Sequence, residues 1–188
     1  MGADMIDSKQ AAEALADIDD MVHRVRQSRV YDLASQMMIL WGGLVFAANI
    51  ATWLLPHGAN YYWLGVYVLG IAGTFAISAA NRASTGGRGF DMRVLFAFLM
   101  FIAFGFLCVH VLGHFSPREQ GAFWTIYFML FYAVAGLWFG TAFVVIALAI
   151  TALTLIGYVF VMGDAFLPWM AVVNGAGLIV GGLWMRRS

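Results

Sequence analysis

Between Ala122 and Met162 the chain runs for 41 residues without a single Asp, Glu, Lys, Arg or His. As one helix this stretch would be about 60 Å long, roughly twice the hydrocarbon core of a bilayer. It therefore has to fold back once. The segment Gly136-Leu-Trp-Phe-Gly140-Thr141, with two glycines and a Thr, is where the sequence predicts the turn. A hairpin this apolar has no use in water, so the chain reads as an integral membrane protein. Composition agrees: 63% of residues are hydrophobic, 11% are charged and the mean hydropathy is +0.85, whereas a soluble domain carries about 25% charge.

Four further apolar runs of similar length flank the hairpin. Together they predict an all-α integral membrane protein, a six-transmembrane-helix bundle with spans at about 37–55, 62–80, 94–112, 122–139, 141–162 and 167–185. Residues 1–36 form a separate N-terminal segment and residues 37–188 the membrane domain. The first 30 residues are polar and lack a basic stretch followed by a short apolar core, so no cleaved signal peptide is expected. Six spans place both termini on one side, together with Lys9, Arg24, Arg26, Arg29, Arg82, Arg88, Arg93, Arg186 and Arg187; Arg118 stands on the other side. This asymmetry predicts that both termini are cytoplasmic. Use of Arg in place of Lys suits a GC-rich bacterial genome, and hence the bacterial inner membrane. Zero net charge points to no nucleic-acid partner, and a single Cys, Cys108, allows no internal disulfide.

Ahead of the first span, Ala11, Leu15, Ile18, Val22 and Val25 recur at steps of four and three. That spacing makes an amphipathic helix with a narrow apolar seam, and no proline separates it from the first span. Its first half is acidic and its second half basic, in the order that favours the helix dipole. Two uses fit. The helix could lie on the membrane surface, or it could be a docking or self-association element whose seam is Leu15, Ile18, Val22 and Val25.

Chemistry-bearing residues are few. No Asp, Glu, Lys or Arg falls inside a span as drawn, and no hydrolase or transporter motif occurs. Asn49 and Asn174 sit at matching depths in the first and last spans, and so are expected to pair by hydrogen bond or, alternatively, to line a polar site. His110 and His114 are four apart at the end of the third span, and His57 lies in a loop on the same side. Three histidines there could hold a transition metal, Zn or Cu; no other cofactor is expected. Gly136/Gly140 and Gly177/Gly181 have spacings that allow close helix contact. Ser84-Thr-Gly-Gly-Arg-Gly89 is rich in glycine but lacks a P-loop ending, and reads as a cytoplasmic turn. The motif L-W-x-G-x-x-F occurs at Leu40–Phe46 and again at Leu137–Phe143, suggesting two related hairpins.

The functional expectation is a non-enzymatic multi-pass accessory or regulatory protein working through protein contacts, with the N-terminal helix as docking element. The alternative is a carrier or channel that binds a metal or small molecule through the outer histidines.

Overall fold

Pro56, Pro117 and Pro168 are the chain's three prolines, and each marks an event in the fold. In the computed structural model, which describes residues 8–85 and 92–187, helix α1 runs without interruption over Ser8–Leu54, 47 residues or about 70 Å. Pro56 then opens a single 3-10 turn, Pro56–Gly58. Helix α2 covers Ala59–Thr85 and α3 Met92–Leu112. The Gly-rich segment after Ser84 lies largely outside the described residues.

Pro117 takes the first helical position of α4, Pro117–Phe139, where a missing N–H costs nothing. Ser116 and Glu119 complete a capping box there: Ser116 Oγ accepts from Glu119 N–H at 3.3 Å, and Glu119 Oε2 from Ser116 N–H at 2.7 Å. This cap starts the helix earlier than hydropathy suggests, within the stretch expected as a loop. Helix α5, Thr141–Phe160, follows after Gly140 alone. Gly140 has φ +133°, a region open to glycine, so the expected hairpin turn is one residue wide.

Pro168 stands in the short helix α6, Phe166–Met170. Next comes a π-helical turn, Ala171–Ala176, and then α7, Gly177–Met185. The last apolar run is therefore one rod with a wide turn inside it, where the sequence suggested regular helix.

Every described element is helical. Five stretches are long and apolar enough to cross a membrane: Gln27–Leu54, Pro56–Ala83, Pro117–Phe139, Thr141–Phe160 and Gly163–Met185. In α3 the apolar stretch, Phe96–Val111, is shorter.

Packing centres on two pairs. Helix α1 lies along α6, the π turn and α7, while α4 and α5 form the tight hairpin. Small residues set the first contact. A Cβ on Gly175 would stand 2.5 Å from Phe46 Cβ and 2.7 Å from its backbone N, and one on Gly42 would stand 2.7 Å from the Gly175 carbonyl. Gly182 likewise approaches the Ser35 carbonyl. The close seam thus runs through Gly175 and Gly182, one heptad apart, with Gly181 tight against Ile146. Gly177, expected to be part of it, makes only ordinary contacts. Between the pairs lies a core of Met38, Met129, Phe143, Ile146, Ile150, Leu178 and Met185.

Helices α2 and α3 are added at the margins. Trp41 lies over Gly70 and donates its indole N–H to Thr74 Oγ1 at 3.1 Å, which fastens α2 to α1. Aromatic contacts fasten α3 to α4: Phe101 stacks on Tyr127 at 4.1 Å, and Tyr127 Oη donates to the Phe101 carbonyl at 2.9 Å. Phe96 and Phe104, on the same helix, are exposed. The repeated L-W motif has no structural counterpart. Trp41 is packed on α2, whereas Trp138 ends α4 and is 72% exposed.

One end of the bundle gathers the exit of α1, the α4–α5 turn and the end of α7. Tyr31 is buried there. Its ring meets Phe143 edge-on at 5.9 Å, and its hydroxyl lies against Gly140. Asp32 pairs with Arg186 at 3.7 Å at the same end.

Candidate functional site

Beyond Gln27 the long helix α1 leaves the bundle. On this extension Leu15, Ile18, Val22 and Val25 are 67%, 54%, 59% and 55% exposed, with Met21 beside them at 61%. The seam and the first apolar stretch belong to one continuous helix, Ser8–Leu54. The seam is left facing solvent on a stiff arm about 30 Å long.

A second group of residues surrounds the π turn. An i→i+5 turn holds one residue more than an α-turn and re-aims the side chains around it. Asn174 lies in this turn and donates through Nδ2 to Thr125 Oγ1 of α4 at 2.9 Å. Thr125 Oγ1 in turn donates a hydrogen bond to the Gly121 carbonyl at 3.0 Å. Asn49 is buried, but its Nδ2 donates within α1 to the Val45 carbonyl at 2.9 Å. The expected Asn49–Asn174 bond is thus replaced. The amide that joins helices is Asn174, and it joins the last rod to α4, not to α1. Thr154, on α5, is fully buried and its hydroxyl has no hydrogen-bond partner. Replacing it with the isosteric Val removes that unsatisfied group, so Thr154→Val is expected to raise stability by about 1 kcal/mol, read as a higher thermal midpoint in detergent.

At the other end of the bundle Arg118 does what its position in the sequence did not reveal. From the first turn of α4 its Nη2 donates to the Tyr158 carbonyl at 2.6 Å and the Gly157 carbonyl at 3.4 Å. Its guanidinium lies 4.6 Å from the Phe166 ring centroid and 5.4 Å from that of Tyr158. Arg118 therefore caps the carbonyl end of α5 and covers the start of α6. Beside it, Trp169 lies over Gly157 and donates to the Leu153 carbonyl at 3.0 Å.

The three histidines fall on different elements. His57 is exposed in the 3-10 turn between α1 and α2, His110 ends α3 with Nδ1 3.1 Å from the Phe106 carbonyl, and His114 is exposed in the α3–α4 loop. Among the described residues no three His, Cys, Asp or Glu side chains gather into a set that could hold a metal ion.

No protein-family model matches the chain, and comparison with curated proteins and with solved structures finds no match.

Proposed function

We propose that this chain is a six-span protein of a bacterial inner membrane, with both termini in the cytoplasm. In this reading it acts without catalysis, as an accessory or regulatory protein that works through protein contacts. The observation that carries the proposal is the exposed seam of Leu15, Ile18, Val22 and Val25 on a helix continuous with the first span. An apolar ladder held clear of the bilayer on a stiff support is suited to another helix and to little else. The excess of basic residues on the side carrying the extension supports its cytoplasmic placement. α3 counts as the sixth span: its 21 residues reach about 30 Å when the turn at Met92 is included.

Removal of residues 1–25 tests the docking role and spares Gln27, whose Nε2 donates to Tyr31 Oη at 3.2 Å inside the folded bundle. The shortened protein is expected to insert and fold with an unchanged thermal midpoint while losing a crosslinked product formed by the full chain in its native membrane. An identical crosslink pattern in the two would overturn the docking role. In a Cys108→Ser background, a Gln10→Cys variant that reacts with an impermeant maleimide from the periplasmic side would overturn the orientation.

A further inference from the structure

Independently of the docking role, and resting only on the chain's place in a bilayer, we infer that α1 carries a site for one anionic phospholipid. Its phosphate is held at the corner where the end of α7 meets α1, and one acyl chain lies along α1 towards the middle of the membrane. The polar end of the site is built around Asp32. Its carboxylate pairs with Arg186 at 3.7 Å and accepts from Gln36 Nε2 at 3.1 Å. A separation of 3.7 Å is too long for a hydrogen bond, so this ion pair leaves the guanidinium fork open to a phosphate. The two side chains of the pair are 53% and 55% exposed. Arg29 stands about one turn before Asp32 on α1, Arg187 follows Arg186, and both are exposed. Three guanidiniums thus share the corner with a single described carboxylate. Arg82, near the end of α2, adds a cation at the same level: it lies about 12 Å beyond Thr74, and Asp32 about 13 Å before Trp41, which is bonded to Thr74. The excess charge suits a phosphate whose headgroup brings no ammonium of its own.

The apolar part of the site is a furrow that begins at this corner. Helix α7 lies against the side of α1 that carries Ser35 and Ile39, and α2 against the side that carries Leu40 and Trp41. Gln36, Gly43 and Ala47 occupy the strip between, at helical spacings of seven and four. A Cβ on Gly43 would meet nothing within 4 Å and Ala47 is exposed, so the floor of the strip is low and unfilled. Ile39 touches Gly182 on one side and Leu40 touches Gly73 on the other. That width suits a single hydrocarbon chain and not a helix about 10 Å across. From Asp32 to Gly43 the helix rises about 16 Å, the depth of one hydrocarbon leaflet. A lipid with its phosphate at Arg186 therefore spans the whole strip, whereas a free phosphate would leave the furrow empty.

Thermal unfolding of the full-length protein in detergent tests the inference, with added phosphatidylglycerol or phosphatidylcholine of identical acyl chains. Phosphatidylglycerol is expected to raise the midpoint by several degrees more than phosphatidylcholine. Arg29→Gln/Arg186→Gln should abolish that difference, whereas Arg24→Gln/Arg26→Gln, which removes equal charge from the extension, should keep it. Gly43→Leu fills the strip where there is space, so it should shrink the shift without lowering the lipid-free midpoint. It also decides the matter if the double arginine variant fails to fold. No difference between the two lipids, or a full difference in the Arg29/Arg186 variant, would overturn the inference. An unchanged shift in Gly43→Leu would do the same. So would an equal shift from sodium phosphate, since the corner would then bind an anion with no place for a chain. All of these readouts are separate from the crosslinks of the extension, so this site and the docking role fail independently.

Discussion

Gly175→Ala is expected to cost about 3 kcal/mol, at the upper end for an overpacked site, and to lower the thermal midpoint in detergent by about 6–10 °C. The reason is the identity of the atoms met. The new Cβ would fall 2.5 Å from Phe46 Cβ, 2.6 Å from its Cα and 2.7 Å from its backbone N, so no change of rotamer relieves it. Either α1 or the rod containing the π turn must move. Both are tied elsewhere, by Gly182 against Ser35, by Asp32 with Arg186 and by Asn174 with Thr125. The matching control is Gly65→Ala in α2, where an added Cβ meets nothing within 4 Å and the stability should stay within about 0.5 kcal/mol of the parent. Equal behaviour of the two variants would mean that the α1 contact is looser than described.

Arg118→Ala should cost about 2–3 kcal/mol, the range for charge-assisted hydrogen bonds with a part-buried partner. Two backbone carbonyls at the end of α5 lose their donor, and the rings of Tyr158 and Phe166 lose the cation that covers them. Lysine should recover only part of this. Its ammonium is compact, and it cannot lie flat on a ring while reaching two successive carbonyls. Thermal midpoints of the three proteins check the order Arg, Lys, Ala. A fully rescued Arg118→Lys would show that charge alone matters there.

Much of this fold is legible in the sequence because the relevant forces are local. Pro56 ends the first helix, Gly140 turns the hairpin, and the absence of proline before Pro56 lets the N-terminal helix run into the first span. What escapes sequence reading depends on geometry created at a distance. Matching depths suggested that Asn49 and Asn174 would meet, but the π turn directs Asn174 to Thr125, 49 positions earlier in the chain. Such a turn has no hydropathy signature. Arg118 seemed merely the lone basic residue on its side, because its carbonyl partners lie 39 and 40 residues away. The candidate docking residues were legible as a periodic seam; their exposure was not, since an amphipathic stripe is equally consistent with burial against the bundle. Gly42 and Gly43 make the same point. Adjacent in sequence, one is enclosed and the other open, and only the direction of the neighbouring helix distinguishes them.

The uninterrupted run of α1 also has a mechanical consequence. From Gln27, held through Tyr31 against Phe143 and Gly140, to Ser8 is about 30 Å of helix outside the bundle. A tilt of about 10° of the first apolar helix, small beside the range over which membrane helices lean, would sweep its tip sideways by about 5 Å. The extension thus acts as a lever: the lean of the first apolar helix is magnified at Leu15 and Ile18.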